Sequence, residues 1–143
     1  MEKRDTRLFQ HNESGWNIVE LEVLESRRQL HQKVTELIRL AHDASLTTSE
    51  ILQQLLLGAA TFGHRLTMQL VRSLHRDDHN ERQSIVWLLT LLNDREAITP
   101  LQHMSRNERL PRLVRLSASL TLAGMGATAE MIEDRRTRLY AIS

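Results

Sequence analysis

The second half of the sequence contains a weak internal repeat, SIVWLLTLLND at residues 84–94 and RLSASLTLAGMGA at residues 115–127. The register pairs three positions with equivalents 33 residues further on: Leu89 with Leu122, Leu92 with Met125, and Asn93 with Gly126. Apolar residues in both stretches follow helical spacing, and repeats of this length indicate stacked helix pairs, because a single pair cannot bury its apolar face alone. The repeat therefore predicts an all-α fold, a short α-solenoid.

Composition supports helix throughout and excludes several classes of protein. The 143 residues suit one domain, and 41% hydrophobic with 26% charged residues is typical of a globular chain. Aromatic residues make up 3%, with 5 Gly and 2 Pro, which is too little punctuation for a many-stranded fold. The absence of Cys excludes disulfides, thiolate metal sites and a cysteine nucleophile.

Net charge and hydropathy argue against binding of the whole molecule to nucleic acid or insertion into a membrane. A net charge of +1 gives no strong field to steer the whole molecule to nucleic acid. No apolar run approaches the roughly 18 residues that span a bilayer. Residues 1–5 lack the apolar core of a signal peptide. We therefore expect a soluble, cytoplasmic protein.

The chain divides into an N-terminal arm, a helical cap and a repeat region. Residues 1–15 are polar and aperiodic, which predicts a flexible arm. Residues 16–45 contain no Gly or Pro and predict a helical cap, either one long helix or two that meet near Ser26. Residues 47–143 hold the helix pairs, so 16–143 form a single helical domain. An alternative interpretation of the cap is a coiled-coil seam for self-association, through Val23, Leu30, Val34, Leu37 and Ala41.

Cap and turn residues mark the helix boundaries of the repeat region. Thr47, with Glu50 three residues later, predicts a capping box, and Gly63 predicts the end of that helix. The apolar face of this helix is expected to comprise Leu52, Leu55, Leu56, Ala59 and Phe62. Further boundary residues are Asn80 as a cap, Pro111 at the start of a helix, and Thr128 or Ala129 at the start of the last one. Pro100 lies inside a short helix predicted from Arg95 to about Met104, and it is expected to bend that helix or confine it to its first turns.

The residues of the repeat resemble a known family. Val114-Arg115-Leu116-Ser117-Ala118, followed by Leu122, Met125 and Gly126, is similar to the first helix of a HEAT repeat of the phycobilisome-lyase type. The resemblance covers roughly residues 50–143 and implies HEAT-like helix pairs, with Arg115 in a structural position that bonds neighbouring turns. It also implies a polar capping helix at the end of the chain, where Glu130 and Asp134 replace apolar residues. A generic helical bundle remains the alternative architecture.

Two features of the family raise the question of enzymatic activity. It includes hydroxylases that bind iron through His-Glu pairs, but this chain has no His-Glu dipeptide, and His42-Asp43 is the nearest. A bilin-lyase-like enzyme would need a nucleophile or an acid–base pair, and the sequence marks neither. His75 and His79, with acidic residues between them, have metal-ligand spacing on a helix, but the segment is predicted to be a solvated linker. We expect no cofactor, no metal and no catalysis.

Arginine and tryptophan residues are the candidate interaction residues. Arg106, Arg109 and Arg112 recur every third residue up to Arg115 and form either a phosphate-binding patch or a solvated face. Trp16 and Trp87 are the only tryptophans; Trp87 is expected at the edge of the apolar stripe of its helix, in the core or in contact with a partner. The sequence thus predicts a non-catalytic protein–protein interaction module that binds a protein partner. Self-association into a homo-oligomer is a second kind of contact that the sequence allows. The alternative is a binder of nucleic-acid phosphates through the C-terminal arginines.

Overall fold

A computed structural model describes residues 14–127, with side chains from residue 18 onward. Every regular element in that range is helical, which confirms the all-α prediction for this part of the chain. The elements are α1 (Ser14–Ala41), α2 (Thr48–Phe62), α3 (His64–Arg72) with a 3₁₀ turn (Ser73–His75), α4 (His79–Leu92), a second 3₁₀ turn (Arg95–Ala97), α5 (Ile98–Arg106) and α6 (Arg112–Gly124). The helix expected from Thr128 or Ala129 onward lies outside the described residues.

The cap region is one continuous helix, α1, without a break at Ser26. It begins at Ser14, two residues before the expected start. Leu30, Val34 and Leu37 are buried in the core of the domain. They are therefore not available as a seam between two copies, and the coiled-coil interpretation is wrong for these positions. Val23, by contrast, is exposed.

The first helix pair begins and ends as its local sequence predicts. The Thr47 side chain accepts a hydrogen bond from the Glu50 amide at 3.1 Å, and the Glu50 carboxylate accepts one from the Thr47 amide at 3.0 Å. This reciprocal capping box fixes the start of α2. Gly63, with φ of 61°, ends α2 and leads directly into α3. The expected apolar face is wrong at Leu56, which is exposed; Ile51 and Gly58 are buried instead.

The repeat register is visible in the backbone. Asn93 ends α4 with φ of 48°, and its repeat equivalent Gly126 follows α6 with φ of 68°. Gly126 N–H donates to the carbonyl of Ala123 at 3.0 Å, and Ala127 N–H to that of Leu122 at 2.9 Å. These two bonds form a Schellman motif, in which the left-handed residue satisfies the last carbonyls of the helix. The two positions that the register pairs therefore both have a positive φ.

Caps and prolines at the other boundaries differ in detail from the sequence prediction. Asp78, not Asn80, caps α4, because its carboxylate accepts the Glu81 amide at 3.0 Å. Pro100 lies in the first turn of α5, which begins at Ile98 rather than at Arg95, so no intrahelical amide bond is lost there. Pro111 is the residue before the first turn of α6 rather than a part of that turn.

One apolar core joins the helices. Helix α1 contacts α2, α3 and α4, while α6 contacts both α4 and α5. Helix α2 also contacts α4, so the first helices of successive pairs lie next to each other. The innermost side chains, which have essentially no exposed surface, are Val34, Leu37, Leu55, Leu66, Leu70, Leu74, Ile85, Leu88 and Leu101.

Within residues 14–127, no helix combines the length and the apolar character needed to cross a membrane.

Candidate functional site

A groove of about 560 Å³ lies between α4 and α6. Both helices contribute residues at spacings of three, four and seven, so each presents one continuous stripe to it. The lining from α4 is His79, Arg82, Gln83, Val86, Trp87 and Thr90, and that from α6 is Leu113, Leu116, Ser117, Leu120 and Gly124. The groove is therefore built from two helix faces of the repeat region, and apolar side chains dominate it.

Three leucines of α6 form an uncovered apolar lip along the groove. Leu113, Leu116 and Leu120 are 44–62% exposed, although α6 buries its other face against the core. Single exposed leucines are common on protein surfaces, but a contiguous stripe beside an apolar groove marks a contact surface. Burial of these leucines against a partner is favourable, because it removes apolar surface from water.

The two hydroxyl groups that line the groove are satisfied by the helices that carry them. The Thr90 hydroxyl donates to the Val86 carbonyl at 2.7 Å, and the Ser117 hydroxyl donates to the Leu113 carbonyl at 2.8 Å. Neither hydroxyl proton needs a ligand. The groove therefore favours an apolar occupant over a polar small molecule.

The two helices lie close together near their C-terminal ends, at Thr90 and Gly124. A Cβ atom built on Gly124 would lie 2.8 Å from Thr90 Oγ1 and 3.0 Å from Thr90 Cγ2. Real Cβ atoms do not make contacts this short with a side chain that cannot move, so only Gly allows this spacing. The missing side chain at Gly124 thus fixes the separation of α4 and α6, and with it the width of the groove.

The structure places the two tryptophans differently. Trp87 is half-buried: it packs against the core and also lines the groove. This agrees with the expectation of a position at the edge of the apolar stripe of α4. Trp16 lies in the first turn of α1, but its side chain is outside the described residues.

The arginines Arg106, Arg109 and Arg112 lie outside the groove. Arg106 ends α5 and lines a shallow depression of about 370 Å³ with Gln102, His103 and Asn107. Arg109 is in the connection, and Arg112 opens α6 next to the Leu113 end of the groove. All three are exposed, and in the described residues no ion pair joins any of them to an acidic side chain. The patch therefore lies beyond one end of the groove, and Trp87 is not part of it.

The structural role expected for Arg115 belongs to its repeat equivalent, Arg82. Arg82 is buried, and its Nη1 donates to the carbonyls of Arg76 at 2.7 Å and Asp77 at 2.9 Å. Arg115 Nε is instead buried without a hydrogen-bond partner among residues 14–127. At Nε, Arg115 therefore does not make the bond that was expected between neighbouring turns, whereas Arg82 Nη1 does.

A polar cluster joins α3 to the turn after α4, and no local sequence pattern predicts it. Asp94 Oδ2 lies 2.8 Å from His64 Nδ1 and accepts the Thr67 hydroxyl at 2.6 Å. The hydrogen bond and charge of Asp94 raise the pKa of His64. Burial raises the pKa of Asp94, but the bonds from Thr67, His64 and the Glu96 amide outweigh it, so the net shift of that pKa is downward.

This cluster has the residue types of a catalytic triad but not its geometry. A nucleophilic hydroxyl must give its proton to the base, which would be the imidazole. The Thr67 hydroxyl donates to the carboxylate instead, and the imidazole bonds to the same carboxylate oxygen. The cluster is a clamp between elements that lie 30 residues apart in sequence.

The two histidines with metal-ligand spacing, His75 and His79, lie in different elements. His79 is the first residue of α4, and His75 ends the 3₁₀ turn before it, so the two do not share a helix. Across residues 14–127, no three His, Asp or Glu side chains come close enough to hold a metal ion.

Comparison of the chain with models of known families, with curated proteins and with solved structures finds no match.

Proposed function

We propose that this chain is a non-catalytic protein-interaction module that holds a helix of a protein partner in the α4–α6 groove. The observation that carries the proposal is the uncovered stripe of Leu113, Leu116 and Leu120 beside Trp87. Rigid apolar anchors of this kind, with Trp foremost, supply most of the binding energy in protein interfaces. The two hydroxyls of the groove, those of Thr90 and Ser117, donate within their own helices, which supports an apolar contact as the basis of binding.

A helix fits the groove better than an extended strand. The lining of α6 runs from Leu113 to Gly124, a length of about 17 Å at 1.5 Å per residue, which matches about three turns of a helix. A strand would need main-chain hydrogen-bond partners, whereas the amides and carbonyls within α4 and α6 bond to each other. An amphipathic helix with apolar residues at spacings of three and four needs only the apolar stripe.

We propose further that the helix pairs form a short HEAT-like solenoid with α1 as its N-terminal cap. Gly63, Asn93 and Gly126 each follow the first helix of a pair with a positive φ, and this supports a repeated unit. The contacts of α4 with both α2 and α6 support successive stacking. In such an array the α4–α6 groove lies between equivalent helices of neighbouring repeats, where solenoids bind their ligands.

The test is affinity capture of the tagged full chain from its source cells, with nuclease treatment and a high-salt wash. Three baits are compared: the wild type, Leu116→Asp/Leu120→Asp in the groove, and Leu56→Asp/Leu57→Asp on α2 as a matched control. Leu56 and Leu57 are each 54% exposed, so the control changes equivalent surface elsewhere. We expect a protein that is retained by the wild type and the control and is lost from the groove variant. Equal capture by all three baits would contradict the proposal.

The arginine patch is the second candidate, and the same experiment separates it. Arg106, Arg109 and Arg112 are exposed with no ion pair in the described range, so they are free to contact phosphates. Three phosphate contacts give a slope of about −3 for the logarithm of the binding constant against that of the salt concentration. This candidate is favoured if the wild type captures nucleic acid that is lost at high salt. The capture should be unchanged in the groove variant and abolished in Arg106→Gln/Arg109→Gln/Arg112→Gln.

A further inference from the structure

The first half of α1 carries apolar side chains that no described residue covers. Every residue from 18 to 25 is exposed, and burial begins only at Leu30. The apolar residues of this segment, each 44–63% exposed, are Ile18, Val19, Leu21, Val23 and Leu24. Val23 and Leu24 are adjacent members of this set and lie midway between two charged residues, Glu20 and Arg27.

Charge along the same segment changes sign at Ser26. The acidic residues Glu20, Glu22 and Glu25 precede it, and the basic residues Arg27 and Arg28 follow it directly. Glu25 pairs with Arg28 at 2.7 Å within the helix. Glu20 and Arg27 form no ion pair with any described residue. An antiparallel partner helix of the same sequence would place unlike charges opposite each other, and a parallel one would place like charges opposite each other.

One face of the segment has a symmetric pattern. Glu20 and Arg27 are seven residues apart, about two turns, and lie on the same face, with Val23 and Leu24 midway between them. An antiparallel copy centred between Val23 and Leu24 therefore brings Glu20 of one chain opposite Arg27 of the other, twice. It also brings Val23 against Leu24 at the centre. Such a contact is self-complementary and closes on itself, as a two-fold dimer requires.

We propose that residues 18–29 of α1 pair with the same segment of a second copy, antiparallel, about a two-fold axis between Val23 and Leu24. The antiparallel arrangement also places the two helical domains at opposite ends of the paired segments, because α1 enters its own core at Leu30. A contact between two short helix segments lies at the low end of specific interfaces, so the dissociation constant is on the order of 1–100 µM. This surface is separate from the α4–α6 groove and does not depend on the function proposed for it.

Charge reversal tests the orientation. Sedimentation velocity of the full chain, over concentrations that bracket the expected constant, compares the wild type with Glu20→Arg, Arg27→Glu and the double variant. Each single reversal sets like charges against each other twice per dimer, and we expect dissociation constants at least about tenfold higher. The double variant restores opposite charges and is expected to dimerise like the wild type. Leu24→Gln is expected to weaken the dimer, whereas Leu57→Gln, equally exposed on α2, leaves it unchanged.

Cross-linking provides an independent readout, because the chain has no Cys of its own. Under oxidation, Glu20→Cys/Arg27→Cys is expected to form a covalent dimer, since each cysteine meets the other kind across the axis. The two positions in one helix are about 10 Å apart, too far for a disulfide within the chain. Three results would overturn the proposal: a monomer at all concentrations, a dimer indifferent to Leu24→Gln and to both single reversals, or efficient cross-linking of Glu20→Cys alone, which indicates parallel pairing.

Discussion

Replacing Gly124 by Ala tests the packing that sets the width of the groove. The added Cβ would meet Thr90 Oγ1 at 2.8 Å and Thr90 Cγ2 at 3.0 Å. Thr90 cannot easily turn away, because its side chain is β-branched and its hydroxyl bonds to the Val86 carbonyl at 2.7 Å. Overpacking of this kind costs about 1–3 kcal/mol. The higher helix propensity of Ala offsets less than about 1 kcal/mol of this cost, because Gly124 is the last residue of α6.

We therefore expect Gly124→Ala to lower the free energy of unfolding by about 1–2 kcal/mol, measured by urea denaturation of the full chain. Thr90→Ala removes both clashing atoms and leaves Thr90 Cβ at 3.5 Å, an ordinary contact. The double variant Thr90→Ala/Gly124→Ala is expected to recover most of the loss, with a coupling energy of about 1 kcal/mol or more.

Gly58→Ala is the matched control for this experiment. Its added Cβ would lie 3.1 Å from Cδ2 of the buried Leu66 and 3.4 Å from Lys33 Cε, so Leu66 needs to shift by only a few tenths of an ångström. Gly58 lies inside α2, so the gain in helix propensity of up to about 1 kcal/mol is expected to make this variant neutral or more stable. A neutral or stabilising Gly124→Ala, or a destabilisation that Thr90→Ala does not relieve, would refute the close approach of α4 and α6.

Three further predictions concern the clamp, a helix cap and the paired arginines. Asp94 raises the pKa of His64 above its ordinary 6.5, so the His64–Asp94 pair stabilises the fold fully below pH 6.5 and loses this effect as the pH rises through the raised pKa. The urea midpoint of the wild type should therefore fall over this pH range, and His64→Gln should remove this pH dependence. Thr47→Ala removes the capping box of α2 and should cost about 1 kcal/mol in the same assay, and a loss below about 0.3 kcal/mol would contradict the cap. Arg82→Met removes both hydrogen bonds from the buried guanidinium to the carbonyls of Arg76 and Asp77 and should cost about 1–3 kcal/mol. Arg115→Met, which loses no hydrogen bond at Nε, should stay within about 0.5 kcal/mol, and equal losses would show that the two arginines have the same role.

Local sequence signals predicted the helix boundaries well where the interaction is itself local. The Thr47 capping box and the end of α2 at Gly63 involve residues within one turn, and they are present as predicted. The left-handed residues Asn93 and Gly126 occupy the turn positions that the repeat register paired. The cap of α4 was misassigned because Asp78 and Asn80 are both good cap residues only two positions apart.

Features that depend on tertiary packing could not be predicted in the same way. The run of leucines at residues 55–57 leaves the apolar face of α2 ambiguous, and only the packed structure shows that Leu56 is exposed. Leu113, Leu116 and Leu120 have the spacing of a core stripe, so the sequence alone does not distinguish an open lip from a buried face. The pairing of His64 with Asp94 spans 30 residues and follows no local pattern.

The most direct test of the groove as a binding site is the emission of Trp87 during titration with the captured partner. Trp16→Phe leaves Trp87 as the only tryptophan, and Trp87 lines the groove. The account predicts a saturable blue shift of this emission as the partner helix covers the groove, with an affinity at least about 100-fold weaker in Leu116→Asp/Leu120→Asp. Binding that saturates without any change in Trp87 emission, or with unchanged affinity in that variant, would contradict it.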